Sequence, residues 1–343
     1  MSYTTINKST EHFESVSYTG NGTSQSVTQL EFQPSLTWIK QRESNSRSTF
    51  YDSARGANKR LQPDGQEAEV TETEGLTSFD SNGFSVGSST LLNTNLQTYV
   101  SNNWKGGTTV SNGTDGGQLA STCHVNTAAG FSVVNWTADG TVSSIPHSLN
   151  GVPDMIIMKE VDDTSNWYIY HSANSSEGAA ETKYIDFNST SNTVDSTNWN
   201  DTKPTSTQFF VGTGNFHNVN NREMVAYCFR SITGYSSTGT YKGNGLATGG
   251  NQIYTGFSPG FLLICNTSAS TSWMFMDNHR IERISTLYQS LAESATSVPM
   301  LCSNGFKINS PSQTTNGNFS HFVYLAIAGY PLVGTNGVPA TAV

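Results

Sequence analysis

Three stretches of this sequence share a proline followed by an apolar run of fixed length. They read Pro34-Ser35-Leu36-Thr37-Trp38-Ile39-Lys40, Pro153-Asp154-Met155-Ile156-Ile157-Met158-Lys159 and Pro259-Gly260-Phe261-Leu262-Leu263-Ile264-Cys265. A nearly continuous apolar run is typical of a strand covered on both faces, and a block that recurs with fixed spacing indicates a repeated unit. The sequence therefore predicts three β-rich repeats, each with a central strand after its proline.

The match between the three stretches extends to both sides. Upstream lies an aromatic-x-x-x-Gly element, found at Tyr18–Gly22, Trp136–Gly140 and Tyr241–Gly245. Eighteen residues after each proline an aromatic-rich strand ends, at Asp52, His171 and Asp277. Further along, Asn82-Gly83 and Asn304-Gly305 predict β-hairpins with type I′ turns, because both residue types tolerate positive φ.

Short strands joined by Gly- and Asn-rich turns predict an all-β fold of three tandem antiparallel β-sandwiches, jelly-roll-like in architecture. The predicted organisation is an N-terminal arm over 1–13, sandwiches over 14–107, 131–232 and 233–332, a loose linker over 108–130, and a C-terminal arm over 333–343. Each sandwich is expected to bury its own core. Short helices are predicted over 53–61 and 280–295.

The composition excludes several classes of partner. The chain has 343 residues, of which 13% are charged, and its net charge is −9, so it is not expected to bind nucleic acid. No apolar run reaches the length of a membrane span, and the first residues lack the pattern of a signal peptide. We expect a protein made in the cytoplasm that does not insert into membranes.

The residues that most often carry chemistry are scattered, and we predict no catalytic residues, no cofactor and no metal. The four cysteines have no paired spacing and are interpreted as buried free thiols, and the histidines do not cluster. Asp52 with Arg55, and Asp277 with Arg280, predict local ion pairs rather than a pair of catalytic carboxylates.

One aromatic residue is a candidate for binding sugars. Trp167 and Trp273 occupy equivalent positions after their prolines and are predicted to lie in the core. Trp199 has no such counterpart and lies in a loop rich in amide and acidic side chains. The candidate glycan contacts are Trp199, Asn198, Asn200 and Asp201.

The motifs together resemble a known repeat module. They are Tyr18-Thr19-Gly20-Asn21-Gly22, Tyr51–Ala57 and Ser78–Phe84 in the first unit, Ala129–Thr137 and Trp167–His171 in the second, and Tyr254–Pro259 in the third. The chain resembles a module found in structural proteins of tailed phages of marine bacteria and cyanobacteria. The resemblance implies a virion component and supplies no catalytic residues. Ser101-Asn102-Asn103-Trp104 departs from the module, which has an apolar closing strand there.

These observations favour a non-enzymatic structural protein on the surface of a phage virion, as a tail fibre or appendage or as a capsid decoration. We expect a homo-oligomer that attaches to other virion proteins through its terminal arms and open edge strands. The alternative is a lectin-like protein that recognises a host surface glycan. The expected location is the virion, after synthesis in the host cytoplasm.

Overall fold

A computed structural model describes residues 4–174, 179–190, 193–213, 218–280, 282–287 and 291–329. The chain is all-β and its strands pair antiparallel, as predicted. The described helical segments are one α-helical turn, α1 (Gln313–Asn316), and two 3₁₀ turns, Ser9–Glu11 and Ala180–Thr182. None of them has the length and apolar character needed to cross a bilayer.

The strands fall into three consecutive groups along the chain. The first group is β1 (Phe13–Thr19), β2 (Gln25–Val27), β3 (Leu36–Gln41), β4 (Thr49–Asp52), β5 (Lys59–Arg60), β6 (Val70–Thr71), β7 (Leu76–Asp80), β8 (Gly83–Val86) and β9 (Thr98–Trp104). The second is β10 (Thr108–Asn112), β11 (Ser121–Asn126), β12 (Phe131–Thr137), β13 (Ser143–Pro146), β14 (Met155–Glu160), β15 (Trp167–His171), β16 (Lys183–Asp186), β17 (Val194–Asp195), β18 (Gln208–Val211) and β19 (Glu223–Phe229). The third is β20 (Ser236–Lys242), β21 (Gln252–Tyr254), β22 (Pro259–Asn266), β23 (Met274–Asp277), β24 (Ser285–Thr286), β25 (Met300–Cys302), β26 (Gly305–Lys307) and β27 (His321–Ala328).

Each group forms one large and one small sheet. Large sheet 1 has the order β1-β9-β3-β4, large sheet 2 the order β10-β11-β12-β19-β14-β15-β16-β17, and large sheet 3 the order β20-β27-β22-β23-β24. The small sheets are β2-β8-β7, β13-β18 and β21-β26-β25 in the same sequence, and β5 pairs with β6. The four-strand order of large sheet 1 thus recurs as β12-β19-β14-β15 and as β20-β27-β22-β23. A duplicated unit would produce this correspondence.

One face of each large sheet packs against the small sheet of its own group. In the first group this interface contains Phe84 and Tyr99, and in the second Trp136 meets Phe209 with ring centroids 5.5 Å apart. These interfaces are the cores of the β-sandwiches that the short strands and Gly- and Asn-rich turns predicted.

The opposite faces of the three large sheets share a single core. The strands that follow the prolines, β3, β14 and β22, are buried along their whole length, which confirms that they are covered on both faces. Trp38 of β3 lies 4.2 Å from Phe275 of β23 between ring centroids, and Trp104 of β9 lies 6.1 Å from Phe229 of β19. The expectation that each sandwich buries its own core therefore holds for one face of each large sheet and is wrong for the other.

Two tryptophans also tie consecutive groups together. Trp167 and Trp273 are fully buried, as predicted. The indole Nε1 of Trp167 donates to the carbonyl of Gln62 at 3.1 Å, and that of Trp273 donates to the carbonyl of Asp186 at 2.8 Å. A buried tryptophan removes about 150–250 Å² from water, which is worth about 4–6 kcal/mol as an upper estimate.

The predicted linker over 108–130 is wrong, because it contains β10 and β11, which extend large sheet 2 beyond β12. In β11 the burial alternates, with Ser121, Cys123 and Val125 pointing inward. The composition of this segment hid that alternation, because its glycines are concentrated in the connection between β10 and β11, around Gly116-Gly117.

The two predicted helices are also wrong. Residues 53–61 form a turn that leads into β5, and the described part of 280–295 contains β24. The carboxylate of Asp52 accepts from the backbone N–H of Arg55 at 2.9 Å, and that of Asp277 accepts from the N–H of His279 at 3.1 Å. Such side-chain bonds favour a tight turn over a helix.

The predicted N-terminal arm packs onto the body, since Ile6 is 2% exposed and belongs to the shared core. Residues 333–343, the predicted C-terminal arm, lie outside the described residues.

The predicted hairpins form, but their turns differ from type I′. Asp80 pairs with Gly83, so Ser81 and Asn82 are the two turn residues and the glycine begins the next strand. A Cβ on Gly83 would lie 1.8 Å from the carbonyl oxygen of Val27. This glycine is therefore needed for the close approach of β2 rather than for the turn.

Candidate functional site

The four predicted glycan contacts do not lie together on one exposed surface. Trp199 is 1% exposed, its Nε1 donates to the carbonyl of Lys183 at 3.0 Å, and its ring meets Tyr170 edge to face. Asn198 is buried, whereas Asn200 is partly exposed and Asp201 exposed, both with left-handed backbones. The prediction of an exposed Trp199 is wrong, because a short turn folds this side chain into the core of the second sandwich.

The two predicted ion pairs are confirmed, and both are buried. Arg55 Nε lies 2.6 Å from Asp52 Oδ2, and Arg280 Nε lies 2.6 Å from Asp277 Oδ2. Both aspartates end the strand that pairs with the post-proline strand, and His171 ends the equivalent strand of large sheet 2. The three residues thus occupy one structural position in the three large sheets.

Each of these positions links its own large sheet to the next. Asp52 Oδ2 accepts a hydrogen bond from the hydroxyl of Tyr227 at 2.8 Å, which joins large sheet 1 to large sheet 2. His171 Nε2 donates to the carbonyl of Tyr324 at 3.1 Å, which joins large sheet 2 to large sheet 3.

The link from the third group back to the first runs through Arg280. Its Nη1 lies 3.2 Å from Glu293 Oε1, and Glu293 in turn lies 3.1 Å from Nε of Arg42, which directly follows β3. The three polar links therefore close a ring around the shared core.

The surroundings fix the protonation state of these groups. Burial lowers the pKa of His171 to about 4, and its Nδ1 accepts from the backbone N–H of Ala173, so the ring is neutral at pH 7. The hydroxyl of Tyr227 stays protonated, because burial and the Asp52 carboxylate hold its pKa well above the usual range. Among the described residues, no group of three or more His, Cys, Asp or Glu side chains is placed to hold a metal ion.

Two buried lysines occupy equivalent positions, Lys40 on β3 and Lys159 on β14. Burial lowers the pKa of each to about 8. Lys159 Nζ donates to the carbonyls of Glu160 and Asp163, at 2.6 and 3.1 Å, and Lys40 Nζ donates to the carbonyl of Ser46. Both ammonium groups therefore hold the loop that follows their strand, and in large sheet 3 the same position is the buried thiol of Cys265.

Cys123, Cys228 and Cys265 are buried free thiols, as predicted, whereas Cys302 is partly exposed. Burial raises the pKa of the three buried thiols. None of them is therefore a thiolate at neutral pH.

A recurring asparagine, which the sequence reading missed, organises one loop in each group. Asn93, Asn218 and Asn316 are almost fully buried. Asn93 Oδ1 accepts from the N–H of Asn21 at 2.8 Å, and Asn316 Oδ1 accepts from the N–H of Asn244 at 3.0 Å. The signal was an Asn-x-Asn triplet before the closing strand of each group, at 93–95, 218–220 and 316–318.

The residue after each triplet is exposed on a left-handed backbone. These residues are Leu96, Asn221 and Phe319, with φ of 64°, 63° and 61°. Leu96 is 77% and Phe319 70% exposed, which leaves an apolar side chain in solvent at a position where leucine and phenylalanine are strained. Exposure and strain together mark these turn tips as candidate contact points.

The third group also carries an open groove of about 800 Å³. Apolar residues, including Pro259, Met276 and Met300, line it together with the polar Asn278 and Glu282. Its volume lies in the range of about 300–1,000 Å³ that is usual for ligand sites.

The chain belongs to a protein family described as a domain of unknown function (DUF7483), whose model matches residues 8–331. The match runs across all three large sheets and includes β10 and β11. No curated protein was found to match the chain.

Proposed function

We propose that the protein is a non-enzymatic structural protein on the surface of a tailed-phage virion, as a tail fibre or appendage or as a capsid decoration. The observation that carries the proposal is the closed ring of three large sheets around one core. A ring closed by polar links in this way is suited to bearing load, because no sheet can separate without breaking two of the links. The location on a phage virion rests on the resemblance to modules of phage structural proteins.

The acidic residues favour a structural role over hydrolysis of polysaccharide. A glycosidase needs one protonated and one ionised carboxyl group facing the same bond. Asp52 and Asp277 each form an ion pair with an arginine within their own turn, and the two turns belong to different groups. The side-chain oxygens of both aspartates accept hydrogen bonds from groups of the protein rather than facing an open cleft.

The attachment surfaces follow from what the fold leaves open. Residues 4–12 pack against the body, so we propose that contacts with other virion proteins come from the turn tips and the sheet edges, with the C-terminal segment 333–343 as a further contact. Leu96 and Phe319 are the best candidates at the tips, because an exposed apolar residue gains most from burial in an interface.

Purified particles provide the test of location. Mass spectrometry should detect the protein in a fixed copy number, and immunogold labelling should place it on the particle surface. A protein that is abundant in the host lysate and absent from washed particles would overturn the proposal.

The turn tips can be tested by exchanging residues between groups. Leu96→Asn with Phe319→Asn installs the residue that stands naturally at position 221, which removes the apolar side chains without adding backbone strain. We expect incorporation into particles to fall, whereas the matched change Asn221→Asp should leave it unchanged. Equal incorporation of both variants would remove the tips from the proposal.

A further inference from the structure

Large sheet 2 ends in an outer strand, β10, with unusual composition for an edge. It reads Thr108-Thr109-Val110-Ser111-Asn112 and has no charge, proline or glycine. Thr108, Thr109 and Ser111 are exposed, and its pairing with β11 runs through all five residues without a bulge. Natural sheets usually protect such an edge with charge, proline or a bulge.

The other outer strands of the three large sheets are protected. The edge of β4 is covered by Leu61, whose N–H and carbonyl bond to Phe50 at 3.0 and 2.8 Å. In β20 the backbone N–H of Thr238 donates a hydrogen bond to Ser231 Oγ at 3.1 Å. The strands β17 and β24 have only two residues each, and β1 carries Glu14 near the charges of Lys8 and Glu31.

The backbone of β10, in contrast, is bonded on one side only. Among the described residues, no backbone hydrogen bond reaches Thr108–Asn112 from any segment other than β11. The outward N–H and carbonyl groups of this strand are therefore available to another strand.

We propose that β10 pairs antiparallel with β10 of a second copy of the chain. This rests on the proposed structural role and deepens it by naming the first partner in assembly. A two-fold axis through Val110 places Val110 opposite itself and Thr109 opposite Ser111, and joins two eight-stranded sheets into one of sixteen strands.

The strand is self-complementary, which favours a second copy as the occupant. Hydroxyl side chains that face each other across antiparallel strands can hydrogen-bond, and a β-branched pair packs well. Because β10 has no charge, two copies meet without like-charge repulsion. The hairpin β10–β11 already adds to β12 by the same antiparallel pairing.

A charge-exchange experiment on the full-length chain tests this pairing. Analytical ultracentrifugation over a concentration series should show a reversible dimer for the unmodified protein. Thr109→Lys with Ser111→Lys, and separately Thr109→Glu with Ser111→Glu, should each weaken the dimer by about tenfold or more, because like charges then face each other. An equimolar mixture of the two variants should restore it.

The control adds the same charge elsewhere. Thr73→Lys with Thr77→Lys changes two exposed residues in and before β7 and should leave dimerisation unchanged. Circular dichroism and thermal unfolding should show that all variants fold, since the altered side chains are exposed.

Three results would overturn the inference: a monomer at the highest soluble concentration, a dimer that neither double variant weakens, or two weakened variants that do not pair when mixed. Absence of the protein from particles would instead contradict the proposed function and leave the β10 pairing standing.

Discussion

Large sheets 1 and 2 place chemically different strands in the same position. The closing strand of large sheet 1, β9, lies between β1 and the post-proline strand β3, and that of large sheet 2, β19, lies between β12 and the post-proline strand β14. In β9 the buried residues Ser101, Asn102 and Asn103 are polar, whereas β19 buries Val225–Cys228. The position of a strand in the fold therefore sets its burial, and a polar sequence in a buried position needs hydrogen-bond partners for its side chains.

Only some of the buried polar side-chain atoms of β9 have hydrogen-bond partners in large sheet 1. Ser15 Oγ donates to Asn102 Oδ1 at 2.6 Å, and Asn103 Nδ2 donates to the carbonyl of Glu14 at 3.0 Å. Asn102 Nδ2 and Asn103 Oδ1 are buried with no hydrogen-bond partner. Unpaired buried polar atoms cost stability, so large sheet 1 carries a penalty that the apolar β19 avoids.

The largest expected effect comes from the tryptophan of large sheet 1 that reaches across the shared core. Trp38→Ala should destabilise the whole chain by about 3–5 kcal/mol, because the cavity opens between rings of the first and third groups. Urea unfolding checks this value, with the exposed Val142→Ala as a control expected to change the free energy of unfolding by about 0.5 kcal/mol or less. Loss of structure in the first group alone, with the others intact, would contradict a shared core.

The next largest effect comes from Asp52, the acidic link of large sheet 1. Asp52→Asn should cost about 3 kcal/mol, because Arg55 stays buried and keeps only Glu69 as its acidic partner. The control Glu67→Gln breaks an exposed pair with Arg47 and should cost about 1 kcal/mol or less. If chemical denaturation showed equal losses of the free energy of unfolding for the two variants, the buried Asp52 link would contribute no more than the exposed pair.

The histidine of large sheet 2 predicts a dependence on pH. His171 has a pKa of about 4 when folded and about 6.5 when unfolded, so the unfolded chain binds more protons in acid. The contribution of the neutral His171 ring to the free energy of unfolding is fully present above about pH 6.5 and is lost as the pH falls towards 4. Between pH 7 and 5 the free energy of unfolding of the unmodified protein should fall by about 2 kcal/mol more than that of the His171→Gln variant, in which no imidazole ring titrates at this position.

Urea titrations of both proteins at the two pH values measure that difference. It isolates His171 because the other titrating groups are shared, including Glu14, whose raised pKa of about 7 acts in the opposite direction. Parallel pH curves for the two proteins would contradict the assignment.

A smaller effect tests the polar strand itself. Ser15→Ala should cost about 1–2 kcal/mol, because Asn102 Oδ1 then lacks its donor. Adding Asn102→Val should recover most of this loss, since the buried amide is removed along with its partner. A double-mutant cycle measures the coupling, and simple addition of the two costs would mean that the bond contributes nothing.

The smallest effect concerns the turn tips. Leu96→Asn should stabilise the chain by about 0.5–1 kcal/mol, because asparagine tolerates the left-handed backbone that leucine occupies with strain. The equivalent residue of the second group is already asparagine, so Asn221→Leu should have the reverse effect. Thermal unfolding of the two variants should therefore shift in opposite directions.

The local features of the fold could be predicted from the sequence. The apolar runs after the three prolines specify strands covered on both faces, and Asp52 and Asp277 lie close enough to an arginine to specify ion pairs. The burial of Trp167 and Trp273 followed from their equivalent positions. Each of these inferences depends on spacing within about twenty residues.

The features that could not be predicted depend on distant contacts. An apolar run shows that both faces of β3 are covered, but not that Phe275, far along the chain, covers one of them. Trp199 is buried because its ring packs against Tyr170 and its Nε1 donates to the carbonyl of Lys183. Its neighbours in the sequence are polar, and they led to the prediction that it is exposed. Strand β11 buries alternate residues because one of its faces packs against the core of the second sandwich, to which Cys123 and Val125 belong.

Native-state hydrogen exchange along the central strands tests the shared core most directly. The slowest amides of β3, β14 and β22 should exchange with one common free energy, and their isotherms should merge as denaturant is added, because the three strands bury one core. A separate, lower free energy for β3 that persists at all denaturant concentrations would contradict the account, since the first sandwich would then unfold on its own.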